Sequence, residues 1–381
     1  MNNKLQSYQR IVVKIGSSLL TDTHSDLNRE WFKSLVADLA SLANNGAQLL
    51  VVSSGAIALG RSRMRDSKPE ISKAVLTLKQ SQAAAAIGQI YLSGEYEREL
   101  NFHNLKTAQI LLTVGDTETR RRYLNAKATI ETLLQWQVIP IINENDTVAT
   151  SEIRYGDNDR LAARVASMMD ADLLILLSDV DGLYSAPPAN DPNATLISHV
   201  PHLTPEILAM AGDAASVHSR GGMKTKVEAA RIATESGAEM VIASGRHLHP
   251  LQRINDGGPG TWFHSNQTKH NAKKRWIAGG LHSTGTVQID SGALLALESG
   301  KSLLPAGVVA VEGTFERGDS VLVIGPNGHQ IGRGIVEYDV ADATAILGKR
   351  SSEIQQLLGE TIRTEMIHRN NLTMIKTNDP T

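Results

Sequence analysis

The sequence predicts an α/β three-layer sandwich built on a mainly parallel sheet, followed by a small β-barrel. Three observations carry this. To about residue 265, short β-branched runs alternate with longer helical stretches. Those runs are almost continuously apolar, the pattern of strands covered by helices on both faces. Past the polar, basic stretch 265–275 the grammar changes to short strands separated by Gly-rich turns, which reads as a small barrel. At 381 residues the chain exceeds what one core usually serves, so two domains are expected.

In order, the predicted strands are Arg10–Lys14, Gln48–Ser53, Ala108–Leu112, Val138–Ile142, Asp172–Leu177 and Glu239–Ala243. The helices between them are Asn28–Asn44, Leu78–Asn101, Glu118–Gln135, Asn158–Met169 and Met223–Ser236. The late strands are Gly285–Asp290, Ser320–Ile324 and Gln330–Val336. Domain boundaries follow at 1–265 for a catalytic domain, 266–275 for a linker, 276–365 for the barrel and 366–381 for a C-terminal tail. In parallel sheets, ligands bind beyond the carboxyl ends of the strands. That rule selects Gly16-Ser17-Ser18, Ser53-Ser54-Gly55, Asn143–Asp146, Ser178-Asp179 and Ser244-Gly245.

Composition removes several classes of chemistry. Hydrophobic content of 41% and charged content of 20% are ordinary for a globular protein. A formal net charge of −2 makes no case for nucleic acid or an anionic membrane. With no cysteine, disulfides, thiolate catalysis and Cys-type zinc sites are excluded. The histidines are scattered and read as surface or loop residues, so no metal site built from protein ligands is assigned. No apolar signal region precedes the first strand and no run of eighteen apolar residues occurs, so the expectation is a cytoplasmic protein with no membrane association.

The chemistry-bearing residues gather at the strand ends. The stretch Ile153–Leu161 packs Asp157, Asn158 and Asp159 after Gly156, just downstream of Asn143-Glu144-Asn145-Asp146. A solvated helix cap would need one such residue; two clusters in about twenty residues point to a site. Lys14-Ile15-Gly16-Ser17-Ser18 puts a lysine before a small-residue loop, where backbone N–H groups can approach an anion. It fits neither a Walker A loop nor a dinucleotide turn. Ser53-Ser54-Gly55 repeats the theme at a helix start, and Gly221-Gly222-Met223-Lys224-Thr225-Lys226 supplies a third case. Within it Lys226 is the residue expected to reach a phosphate, and Lys224 reads as a solvated helix lysine. Asp179 opens Asp179-Val180-Asp181-Gly182, which alone would be a plain turn. Two anion-binding lysines, three small-residue loops and several oxygen-bearing side chains together describe phosphoryl transfer, which works by positioning and charge neutralisation. Magnesium would bind largely through nucleotide phosphates.

These motifs occur in the order seen in the amino-acid kinase superfamily, and their combination resembles the glutamate 5-kinases as a family. The resemblance covers essentially the full chain, and residues 276–365 are similar to the PUA domain. It implies the amino-acid kinase fold, ATP and Mg²⁺ as cofactors, and L-glutamate as acceptor. It implies catalytic roles for Lys14, Lys226 and Asp159, and glutamate binding by Ser54, Asp146 and Asn158 with Asn143 and Asp157 adjacent. The nucleotide would be contacted by Lys14, Gly16, Ser178, Asp179, Gly221, Gly222, Met223, Lys224, Thr225 and Lys226. Ser219-Arg220 departs from the family pattern, where Gly-Thr is expected, and the arginine could add a phosphate contact or stiffen the loop. The same resemblance implies homo-oligomers, feedback by proline at the glutamate pocket, and a glutamate 5-phosphate reductase as downstream partner.

The activity implied is transfer of the γ-phosphoryl of ATP to the side-chain carboxylate of L-glutamate, the first step of proline biosynthesis. A carboxylate is already ionised at pH 7, so the site needs no strong general base. The alternatives are another amino-acid kinase with a different carboxylate or phosphate acceptor, and RNA binding through the C-terminal domain. Charge argues against RNA: residues 276–381 hold 8 Lys+Arg against 12 Asp+Glu.

Overall fold

The computed structural model describes residues 4–22, 26–68, 75–148, 157–188, 191–211, 222–266, 283–350, 353–354, 357 and 364–375. The chain divides into two compact units, Met1–Glu118 with Ala126–Gln267, and Thr119–Asn125 with Thr268–Thr381.

The first unit is built on an eight-stranded sheet. Its strands are β1 (Arg10–Ile15), β2 (Gln48–Ser53), β3 (Lys106–Leu112), β4 (Val138–Glu144), β5 (Leu173–Ser178), β6 (His199–Val200), β7 (Glu239–Ser244) and β8 (Gly260–Phe263). They lie in the order β3-β4-β2-β1-β5-β7-β8-β6. β1 pairs in parallel with β2 on one side and β5 on the other, so every residue after Arg10 is buried. β5 is buried along its whole length, as its unbroken Leu/Ile run requires. β3, at the sheet edge, mixes exposed and half-buried positions instead and ends in buried Leu112.

Helices cover this sheet, and their ends are set by local chemistry. Asn28 caps Arg29–Asn44 by accepting from the backbone N–H of Trp31. Thr77 and Gln80 form a capping box at the start of Leu78–Asn101. That helix crosses Ala56–Arg63 closely at two glycines. A Cβ on Gly60 would stand 1.8 Å from the Ala84 carbonyl oxygen, and one on Gly88 would stand 1.8 Å from that of Ala56. The helix Pro250–Asn255 is capped from a distance. Buried Asp38 accepts from the N–H groups of Leu251 at 2.9 Å and Gln252 at 3.2 Å, and faces His249 Nδ1 at 2.8 Å.

Three details differ from the expected elements. β8 runs antiparallel to β7, and β6 joins beyond it in parallel with β8. Preceded by Gly257-Gly258-Pro259, the four-residue β8 reads as a turn in the sequence. The helix expected over Glu118–Gln135 begins at Arg120, and a separate short helix, Val114–Glu118, precedes it.

The second unit carries a five-stranded sheet in the order β10-β9-β11-β12-β13. These are β9 (Gly285–Ile289), β10 (Val308–Gly313), β11 (Ser320–Ile324), β12 (Gln330–Ile335) and β13 (Leu372–Met374). Asp290 caps the helix Ser291–Glu298 by accepting from Ala293 N–H at 2.7 Å. Met366 and Ile367 are buried in this unit's core and β13 pairs with β12, so residues first set apart as a tail help to complete the sheet. Of the linker 266–275, only Asn266 lies within the described residues. Among the described residues, no helix is long and apolar enough to cross a membrane.

Candidate active site

The end of β1 and the start of the helix Met223–Glu235 meet at one residue. Asp159, fully buried, lies in the first turn of the helix Asp157–Met168. Its Oδ1 meets Lys14 Nζ at 2.6 Å, and its Oδ2 meets Lys226 Nζ at 3.1 Å. The Thr225 hydroxyl donates to the same Oδ2 at 2.9 Å. Lys14 comes from β1 and Lys226 from the helix Met223–Glu235, which starts at Gly222. Two buried ammonium groups thus share one carboxylate. Burial pushes the Lys14 ammonium below its ordinary pKa against the attraction of Asp159, and the Lys226 charge adds to the lowering. Burial alone would raise Asp159, but the charges of Lys14 and Lys226 outweigh it and hold its carboxyl below the usual range.

The loops that frame this group are tight. A Cβ on Gly16 would lie 3.5 Å from the Leu177 carbonyl oxygen, so the loop after β1 passes close to the end of β5. Ser54 N–H donates to Ile15 O at 3.1 Å, locking the β2 loop beside the β1 loop. Gly55 follows with φ +101°, a left-handed conformation that favours glycine, and begins the helix Ala56–Arg63.

A second cluster abuts the first, because Asn158 and Asp159 are consecutive. Asn158 Nδ2 donates to Ser54 Oγ at 2.7 Å and to Asn143 Oδ1 at 3.0 Å. Asn143, buried at the end of β4, donates through Nδ2 to Gln89 Oε1 at 2.7 Å. Asn158 Oδ1 is buried and has no partner among the described residues. Asp146 follows two residues beyond β4, and burial pushes its carboxyl up to about 6.

Ser178 and Asp179 end β5, with Ser178 Oγ donating to Asp179 Oδ1 at 3.1 Å. A cavity of about 330 Å³ opens beside them, lined by Ser18, Trp31, Asp179, Gly245 and Arg246 among others. Arg246, which the strand-end reading stopped one residue short of, donates from Nε to Asp179 O at 2.8 Å. The structure therefore brings Lys14, Asp159, Thr225 and Lys226 together, and beside them Ser54, Asn143 and Asn158. Met223 and Lys224 sit in the first turn of the Lys226 helix, with Lys224 exposed. Gly156, Gly221, Ser219-Arg220 and the Asp157 side chain lie outside the described residues. Gln89 is the residue that strand-end reasoning missed. Its signal is register: it falls among Ala85, Gly88, Leu92 and Tyr96 on the buried face of its helix, where a carboxamide needs a partner.

Among the described residues, no group of three His, Cys, Asp or Glu could hold a metal ion. Both Asp159 oxygens are taken by cations, so a divalent ion here would be held mainly by a substrate's phosphates.

Comparison with known proteins identifies the family. Residues 9–244 match the model of the amino acid kinase family, and residues 285–358 match that of the PUA domain. A protein named Glutamate 5-kinase from Nitrobacter winogradskyi is 58% identical over 371 residues, 97% of each chain. One so named from a Bradyrhizobium species is 56% identical over 372 residues, again 97% of each. The chain belongs to the glutamate 5-kinase branch of the amino acid kinase family. In Mesorhizobium japonicum, a relative named Glutamate 5-kinase 1 is 56% identical over 370 residues. These likenesses extend through both units, so the second sheet belongs to the shared architecture.

Proposed function

We infer that this protein is an ATP-dependent glutamate 5-kinase. With Mg²⁺ and ATP it transfers the γ-phosphoryl to the side-chain carboxylate of L-glutamate, giving L-glutamate 5-phosphate, the first intermediate of proline synthesis. A carboxylate oxygen of glutamate attacks the γ-phosphorus, the bond to the β,γ-bridging oxygen breaks, and ADP departs. No side chain need form a covalent intermediate. Lys14 and Lys226 offset the charge spread over the transferring group, and Asp159 holds both ammonium groups in place, an arrangement suited to a loose transition state. Mg²⁺, carried on the phosphates, supplies further neutralisation. Ser178, Asp179, Gly16 and the 221–226 loop serve the nucleotide in this reading, while Ser54, Asn143, Asn158 and Asp146 serve glutamate, with Asp157 adjacent.

One observation carries this reading. Consecutive residues tie the two halves together, with Asn158 in the carboxamide cluster and Asp159 between the lysines. Acceptor recognition thus adjoins the cation pair. Asp146 is assigned to the α-ammonium, which it keeps protonated and away from the activated acyl group of the product. Without that restraint the amine would close a five-membered lactam, a reaction favoured by proximity.

The finer assignments rest on the same chemistry. Proline carries the same α-carboxylate and ammonium relationship as glutamate, which supports feedback at this pocket. Family likeness supports homo-oligomers and a glutamate 5-phosphate reductase to take up the labile product. The absence of a membrane-length apolar helix among the described residues is compatible with a cytoplasmic location. The acidic balance of residues 276–381 speaks against nucleic acid as partner. The catalytic domain is taken as 1–265, with the PUA domain beginning near 276.

The test is ADP release with glutamate, aspartate, N-acetylglutamate and carbamate as acceptors. Glutamate should lead aspartate by roughly 10–200-fold in kcat/KM, the value of one methylene. Equal turnover with another acceptor would overturn the assignment.

A further inference from the structure

The carboxamide chain that ends at Asn158 starts on a helix away from the strand ends. Gln89 is 7% exposed on Leu78–Asn101, beside the Gly88 contact that brings this helix against Ala56–Arg63. Its Nε2 donates to Ser93 Oγ at 3.3 Å, so its Oε1 is the atom that accepts from Asn143. The backbone N–H of Glu144 donates to Asn143 Oδ1 at 2.9 Å. An N–H can only donate, so this bond independently fixes which end of the Asn143 amide is oxygen. Asn143 Oδ1 then receives Asn158 Nδ2, which also donates to Ser54 Oγ.

The sense of the chain has two consequences at its end. The Ser54 hydroxyl, having accepted from Asn158, keeps its own hydrogen to donate. Among the described residues, Asn158 Oδ1 is left as a buried acceptor without a partner. Such an atom carries a desolvation cost that a bound donor would recover.

We propose that Gln89 is a positioning residue for substrate recognition. Together with the Glu144 N–H, it holds the Asn143 amide in the sense in which Ser54 offers a donor and Asn158 an acceptor to an α-amino acid. The substrate's α-carboxylate takes the first and its α-ammonium the second. Reversing the chain would turn an NH₂ group toward the ammonium. The proposal rests on the glutamate kinase reading of the site.

The experiment uses the full-length protein and two variants that lack the acceptor, Gln89→Leu and Gln89→Met. Gln89→Glu retains an acceptor for Asn143. Glutamate Kd is measured by calorimetry, with KM and kcat for glutamate, glutarate and ATP. Whichever apolar variant folds by thermal melt should raise glutamate KM and Kd by about 10–100-fold, the scale of losing one partner of a buried polar pair. Its kcat and ATP KM should stay within about threefold, because Gln89 touches neither reacting atom nor nucleotide. Glutarate, which lacks the amine, should lose less, and Gln89→Glu should recover most of the glutamate affinity. An unchanged glutamate KM overturns the proposal. So does an equal loss for glutamate, glutarate and ATP, or a Gln89→Glu protein no better than the apolar variants. Wild-type turnover is measured first, since its absence would overturn the kinase reading itself.

Discussion

Lowering the pH through 6 should weaken glutamate capture before it slows phosphoryl transfer. Burial raises the Asp146 carboxyl to about 6 in the ligand-free protein, and only the carboxylate form can hold an ammonium ion. Such a group is about half ionised at pH 6 and roughly one-tenth ionised at pH 5. kcat/KM for glutamate, which reports free-enzyme groups, should therefore fall about twofold at pH 6 and about tenfold at pH 5 relative to pH 8. The acceptor carboxylate of glutamate, with an ordinary pKa of about 4.3, is still mostly ionised at pH 5 and accounts for little of that fall. Once glutamate binds, its ammonium pulls the Asp146 carboxyl down, so kcat should decline only at lower pH. The assay is ADP release from pH 5 to 8 with glutamate and with glutarate, for wild type and Asp146→Asn. The wild-type glutamate profile should show the acid limb; Asp146→Asn should have a lower plateau without it. A flat wild-type profile, or an unchanged limb in Asp146→Asn, would refute the role given to Asp146.

The same substitution carries a stability signature. The folded carboxyl lies above its ordinary value, so its charge opposes folding above pH 6, and that penalty fades as the pH falls from 6 to about 4, below which both states are protonated. Asp146→Asn should raise the Tm of the ligand-free protein at pH 8, whereas a lower Tm would mean that the carboxylate is held by a partner. Lys14→Met and Lys226→Met should each lower kcat by roughly 10²–10³ with glutamate affinity little changed, and an intact kcat in Lys226→Met would redirect attention to Lys224. Gly88→Leu should destabilise the protein by more than about 1 kcal/mol, read by denaturant unfolding, because even its Cβ would meet the Ala56 carbonyl. A folded chain ending near Asn266 should still phosphorylate glutamate; loss of turnover there would place part of the site beyond residue 266.

Much of this architecture is legible in the sequence because a parallel sheet writes itself in apolar runs. Arg10–Ile15, Gln48–Ser53 and Leu173–Ser178 are such runs, and their ends deliver Lys14, Ser54 and Ser178. What stayed hidden depends on contacts distant in sequence. β8 is four residues after a Gly-Gly-Pro turn, and only its pairing with β7 identifies it as a strand. Asp38 looks like an ordinary helix residue until the Pro250–Asn255 helix presents its free N–H groups to it. Gln89 lies in an alanine-rich helix whose sequence does not disclose Asn143 opposite. β13 and buried Ile367 fall after a stretch with no strong pattern, which is why the region read as a tail.

The central claim is that the substrate's own side-chain carboxylate attacks the γ-phosphorus of ATP. Glutamate labelled with ¹⁸O in that carboxylate, incubated with the protein, Mg²⁺ and ATP, tests this most directly. After the product cyclises to its lactam, the released phosphate should carry one labelled oxygen, inherited through the acyl–phosphate bridge. Unlabelled phosphate, formed at the same rate with or without glutamate, would show that water is the acceptor and would contradict the account.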